Sequence, residues 1–185
     1  MGMRFSIDLS DRDLKFFRKA LKKSRDAVRH AEEADIVEAI GQVLEEIKSE
    51  QPLPDFVEKR IPQLESLIRM LRDEEWALPI NEREMLLATF VYFGDPEDIV
   101  PDHIPVIGFL DDVIMIELTV RELQHVREAY EDFCEYRNEY DKKHRAKNDS
   151  AVRRDRIDKR RQNLHQRMKR RLLRDKRAKK SSALW

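Results

Sequence analysis

Glycine and proline are scarce in this chain, with four and seven in 185 residues. Such scarcity argues against a β sandwich or barrel, whose strand connections draw on these turn formers. It also leaves no Gly-x-Gly-x-x-Gly or P-loop pattern to hold a phosphate. A single cysteine, Cys134, excludes an intramolecular disulfide, and a cytoplasmic, reducing setting is the expectation. With no His or Cys beside it in sequence, that thiol reads as buried and inert. No run of about 18 apolar residues is present, so nothing reads as a bilayer-spanning helix. The best stretch, Val113 to Val120, is interrupted by Glu117. Also missing are His-Glu-x-x-His, an EF-hand loop and a Gly-x-Ser-x-Gly elbow, which removes the usual signals for a zinc protease, a calcium site or a serine hydrolase. The first residues lack the apolar core of a signal peptide. They fit a Met-Gly-x-x-x-Ser acylation pattern, a match we read as coincidental because the pattern is so short.

What the chain has instead is charge. Asp, Glu, Lys and Arg make up 40% of it, against about 25% in ordinary domains. The formal net charge of zero hides a division. Residues 142–185 hold 19 Lys and Arg against 4 Asp and Glu, whereas residues 1–141 hold 18 against 33. An acidic body is followed by a basic tail.

Apolar spacing predicts helices through most of the body. Phe5, Ile7 and Leu9 alternate like an extended segment. Ser10 with Asp13 then reads as a capping box opening a helix to about Ala31. A second helix is expected from Asp35 on the face of Ile36, Ile40, Val43, Leu44 and Ile47. Pro52 and Pro54 mark a linker. From Asp55 to Arg72 the helical pattern resumes, and Pro62 must kink it or start a new helix. Asn81 with Glu84 reads as a capping box for Met85 to Phe93, a segment apolar nearly all round and therefore central. A long helix is expected from about Phe109 to Lys143. The expected architecture is all-α: a compact bundle of about five or six helices, with a proline-rich loop between two of them and a basic C-terminal extension.

That loop is the densest segment of the chain. Residues 93–112 carry three of the seven prolines, two of the four glycines and six carboxylates. Gly94 suits a helix end, and Asp95-Pro96 suits a helix start with Pro in the first position. Pro101 stops that helix within a turn or two, Pro105 forces Ile104 extended, and Gly108 is free to take a tight turn. Capping and turn chemistry accounts for all six acids, with Asp111 and Asp112 in the positive first turn of the next helix. The alternative is convergence of Asp98, Asp102, Asp111 and Asp112 on a divalent cation, Mg²⁺, Mn²⁺ or Ca²⁺, with His103 as a further ligand. Being adjacent, Asp111 and Asp112 point about 100° apart and should divide their labour.

From Tyr92 to Asp112 the chain reads Tyr-Phe-Gly-Asp-Pro-Glu-Asp-Ile-Val-Pro-Asp-His-Ile-Pro-Val-Ile-Gly-Phe-Leu-Asp-Asp. This order of Tyr, Asp-Pro, Pro-Asp, Pro, Gly and Asp-Asp resembles the signature of the YkvA-like family, a domain of unknown function, over about residues 83–121. The resemblance implies a fold element and supplies no substrate, cofactor or catalytic residue.

The tail, residues 147–185, is expected to be a lone polar helix or unstructured. Its apolar residues, Val152, Ile157, Leu164, Met168 and Leu172, are too sparse to suggest a core. Its cations, including Arg153, Arg154, Arg160, Arg161, Lys169, Arg170, Arg171 and Arg174, are mostly Arg and suit phosphate. Nucleic acid, an anionic membrane surface, or the acidic body of the same or another chain could answer them. No aromatic residue interleaves the basic run, which argues for backbone contacts over base stacking. The reading is a non-enzymatic cytoplasmic binding or scaffold module, with residues 1–146 as its body, an unidentified protein partner, no cofactor and a polyanion on the tail. A chain cut after residue 146 is expected to keep its helical fold. The alternatives are a metal-binding protein or metal-dependent enzyme at the loop carboxylates, and a peripheral membrane protein.

Overall fold

The computed structural model describes residues 8–49, 53–93, 110–144 and 150–182. Eight helices and no strand lie among the described residues: α1 (Asp11–Val28), α2 (Glu33–Ser49), α3 (Asp55–Glu58), α4 (Ile61–Arg72), α5 (Ile80–Phe93), α6 (Leu110–Glu122), α7 (Gln124–Lys143) and α8 (Ser150–Ser182). The protein is all-α. The chain divides into two compact units, Met1–Ile61 with Glu84–Ile116, and Pro62–Arg83 with Glu117–Trp185.

In the first unit, α1 opens on the expected capping box. The Ser10 N–H donates to Asp13 Oδ2 at 2.9 Å, and the Ser10 side chain accepts from the Asp13 N–H. Helix α2 buries Ile36, Ile40 and Leu44 at four-residue spacing, one stripe of a two-sided helix. From Met85 to Phe90 every residue of α5 is buried, including Thr89, whose hydroxyl donates to the Met85 carbonyl at 3.0 Å. In the first half of α6, Asp111, Val113, Met115 and Ile116 are buried.

In the second unit, α4 buries Leu64, Leu67, Ile68, Met70 and Leu71. The turn after it is built on Asp73. The Asp73 carbonyl accepts from the Ala77 N–H at 3.0 Å and Oδ1 accepts from the Trp76 N–H at 3.1 Å. Ala77 sits at φ 47, the left-handed region, which costs a residue with a Cβ about 1 kcal/mol. That turn sends the fully buried Trp76 into the unit, with its ring 5.3 Å from Phe133 and 5.6 Å from Tyr130.

Helices α7 and α8 run antiparallel. Glu128 meets Arg171 and Asp132 meets Arg167, so positions that advance along α7 retreat along α8. The basic segment is therefore packed: Ile157, Leu164 and Met168 are 2–3% exposed. Three apolar residues suffice because they fall within about 40° of one helix face, and Trp76 adds bulk beside them.

Details of the helix boundaries differ from expectation. The helix expected over 109–143 is two helices parted at Leu123, where φ is −91 and ψ is 12. Neither Pro nor Gly stands there, so the sequence carries no signal for the break. Among the described residues seven helices precede α8, the one-turn α3 included, in keeping with the expected all-α bundle of about five or six. Asn81 lies inside α5 and not at its cap, because the Arg83 N–H already donates to the Pro79 carbonyl at 2.9 Å. Pro62 does start a helix, at the second residue of α4. The expected extended run at Phe5 and Ile7 lies outside the described residues.

Candidate functional site

Of the loop residues singled out in the sequence, Gly94, Asp95, Pro96, Asp98, Pro101, Asp102, His103, Pro105 and Gly108 lie outside the described residues. Asp111 and Asp112 are described, in the first turn of α6. Asp111 is buried and accepts a hydrogen bond at 3.3 Å from the hydroxyl of Tyr92, near the end of α5. Asp112 is half-buried. The two acids thus face different surroundings, as adjacent residues on a helix must. Asp111 ties the two helices that flank the loop through a phenol–carboxylate contact within the first unit. Among the described residues no group of three or more His, Cys, Asp or Glu is arranged to hold a metal ion.

A second constellation was not anticipated. It is built on Asp73 and Glu75, just past the C-terminus of α4, where the negative end of the helix dipole makes acids unfavourable without cationic partners. Arg137 of α7 supplies one. Its two terminal nitrogens donate to Asp73 Oδ1 and Oδ2 at 2.9 and 2.7 Å, and Nη1 also donates to Glu75 at 3.1 Å. Arg153 of α8 supplies the other, pairing with Glu75 and forking onto Asp141 at 2.7 and 2.9 Å. Arg161 of α8 donates to the Glu75 carbonyl at 3.2 Å.

Burial opposes ionisation of Asp73. The Arg137 fork, the Trp76 N–H and the Tyr130 hydroxyl together outweigh it and hold the carboxyl below the ordinary range. The Arg153 hydrogen bonds do the same for Glu75 and Asp141 against a smaller burial effect. His165 of α8 stands edge-on to Trp76 at 4.4 Å. Burial, followed by the nearby Arg161 charge, pushes its pKa down, against a hydrogen bond to the Trp76 backbone. Both arginines and all three acids are partly buried, so the network fastens α8 to α4 and α7.

The cations of α8 consequently divide by face. Arg153 and Arg161 point into the network. Arg171 meets Glu128 at 2.6 Å, and Arg160 lies over the Tyr136 ring at 5.1 Å. Arg154, Lys169, Arg170 and Arg174 are exposed. A helical projection at about 100° per residue places Arg170 and Arg174 with Arg156, Lys159, Arg167 and Arg177 inside an arc of about 80°. Arg154 and Lys169 fall outside it. All six residues of the arc are exposed. Their row runs from 156 to 177, about 30 Å along the helix axis, and is centred about 120° from Ile157, Leu164 and Met168. Three of them have acidic neighbours that leave them exposed: Lys159 pairs with Asp155 at 2.8 Å, Arg174 with Asp175 at 3.9 Å, and Arg167 with Asp132. The periodicity of these cations was present in the sequence, but only a buried face on α8 makes a separate exposed face meaningful.

No helix among the described residues is long and apolar enough to cross a membrane. No curated protein and no solved structure matches the chain. Residues 83–118 match a family model described as a protein of unknown function, DUF1232. That segment contains Tyr92 and Asp111 together with the loop between them, and the similarity to that family is a similarity over this segment.

Proposed function

We propose that this chain is a cytoplasmic, non-enzymatic helical binding module, which presents a docked basic helix to a polyanion. The observation that carries the reading is the partition of the α8 cations. Those facing the body are neutralised by Glu75, Asp141 and Glu128, while a row of six remains exposed on one face. A tail that served only to neutralise the acidic body would gather its cations on the face turned to that body, where Coulomb attraction is strongest. A rigid row of like charges on a packed helix instead concentrates positive potential along one line, which attracts extended anions. Helix α8 thus supplies the charge, and the rest of the second unit supplies the rigidity.

The test is retention of the full chain on immobilised heparin across a salt series. Retention that weakens steeply with salt supports the reading. Elution at the lowest salt, about 50 mM, would show that the exposed row only solvates the protein, and the polyanion reading would fall.

A further inference from the structure

We infer that the exposed face of α8 is a binding site for the phosphate backbone of duplex nucleic acid, formed by Arg156, Lys159, Arg167, Arg170, Arg174 and Arg177 and indifferent to base sequence. The inference rests on the polyanion reading above and narrows it to one class of ligand.

Three features favour a duplex over other polyanions. The first is what α8 has already spent. A helix that lies on a membrane sinks an apolar face into the headgroup boundary. On α8 that face, Ile157, Leu164 and Met168, is 2–3% exposed and committed to the protein. Val152 and Leu173 are half-exposed but stand singly, far apart along the helix.

The second is the absence of stacking platforms. No Phe, Tyr or Trp occurs between Ser150 and Ser182. His165, the one ring there, packs against Trp76. Single strands are held largely by bases stacked on aromatic side chains, each worth about 1–3 kcal/mol, and α8 offers none. A duplex keeps its bases stacked internally and asks only for cations along its backbone.

The third is shape and chemistry. The row is about 30 Å long, close to the 34–36 Å of one duplex turn. Five of its six members are Arg, whose planar fork matches phosphate oxygens. Anchoring by Arg153 and Arg161 keeps the row straight before the ligand arrives, so little side-chain and backbone order is lost on binding.

The test compares the full-length protein with Arg170→Gln/Arg174→Gln and with the charge-matched Lys15→Gln/Lys19→Gln, whose positions on α1 are exposed. Each is titrated against a duplex DNA and a duplex RNA of unrelated sequences, a single strand, and vesicles containing anionic lipid. We expect duplex binding with little sequence preference. At about 100 mM salt it should weaken at least about tenfold in the α8 variant and less than about twofold in the α1 variant. The log–log salt slope of the α8 variant should be shallower by about 2. Unchanged circular dichroism in both variants keeps the comparison one of surface charge. Equal losses in the two variants would overturn the site. Binding to vesicles or heparin but to neither duplex would overturn the nucleic-acid assignment and leave the polyanion reading standing. Binding to none of these overturns both.

Discussion

Arg137 grips Asp73 with both of its terminal nitrogens, at 2.9 and 2.7 Å, and the same carboxylate also accepts the Trp76 N–H and the Tyr130 hydroxyl. One side chain therefore fixes the turn after α4, seats Trp76 and holds α7. Asp73 is 10% exposed and Arg137 is 20% exposed, so their attraction is screened far less than that of a surface pair.

Removing Asp73 should leave Arg137 half-buried without its fork and two further donors unsatisfied. Asp73→Ala is expected to lower stability by about 3 kcal/mol. Arg137→Lys, which keeps the charge and loses the planar fork, should cost about 1–2 kcal/mol. Urea unfolding at neutral pH followed by tryptophan fluorescence measures both. A change of less than about 0.5 kcal/mol for Asp73→Ala would mean the turn stands without it.

Acid should loosen the second unit in two stages. His165 titrates below its ordinary 6.5 in the fold, so the unfolded chain takes up that proton first. The stability linked to neutral His165 is complete above 6.5 and is lost as pH falls through the lowered value. Glu75, Asp73 and Asp141 are likewise held below their ordinary 4.5 and 3.8. Their contribution persists above those values and disappears as pH falls through the depressed ones. Midpoints of urea unfolding between pH 8 and pH 3 should trace both steps, the upper one below the ordinary histidine value and the lower one below the ordinary carboxylate values. His165→Phe, which retains packing on Trp76, should abolish the upper step alone.

Ala77 provides a backbone test. At φ 47 its Cβ is crowded, so Ala77→Gly should raise stability or leave it unchanged, while Ala77→Val should cost about 1 kcal/mol or more. Thermal unfolding of the two variants decides this, and equal melting temperatures would remove strain from the account of the turn.

Which of these features the sequence discloses follows from where the information sits. The helices of the body are legible because Ile36, Ile40 and Leu44, or Ser10 with Asp13, encode them locally. The ionic network is not, because Asp73 and Arg137 are 64 positions apart and any of many cations could have met that acid. A local oddity was nonetheless present in Asp73, Glu74 and Glu75, three acids at the unfavourable end of α4. The docking of α8 escaped notice because Ile157, Leu164 and Met168 are outnumbered by charges. Their common face counts for more than their frequency. Within the signature, Tyr92 and Asp111 were both read as part of one motif, but only the fold brings the hydroxyl to the carboxylate.

The Asp111 and Asp112 pair should separate experimentally. Asp111 is 2% exposed and bound by Tyr92, so Asp111→Ala is expected to cost about 2–3 kcal/mol. Tyr92→Phe, which removes only the donor, should cost about 1 kcal/mol. Asp112→Ala, at a half-buried position, should cost less than Asp111→Ala. Chemical denaturation of the three variants gives the order, and a larger loss at Asp112 would show that the burden lies on the other acid.

Helix α8 is part of the second unit's core, and this changes what shortening the chain should do. Ending it at residue 146 would strip Ile157, Leu164 and Met168 from the interior, withdraw His165 from Trp76 and leave Glu75 and Asp141 without Arg153. Burial of three such side chains is worth about 1.5–3 kcal/mol each, which rivals the whole stability of a small domain. The shortened chain should therefore show weakened tertiary structure and early thermal unfolding, instead of the intact helical body expected from sequence. Leu164→Ala in the full-length protein offers a gentler version, with an expected loss of about 3 kcal/mol. Cooperative unfolding and unchanged tryptophan fluorescence in the 1–146 chain would show that α8 rests on the unit without supporting it. In that case loss of duplex binding on truncation could be ascribed to missing charge alone. If the shortened chain unfolds as expected, truncation cannot serve as the test of binding, and substitutions confined to the exposed row must carry it.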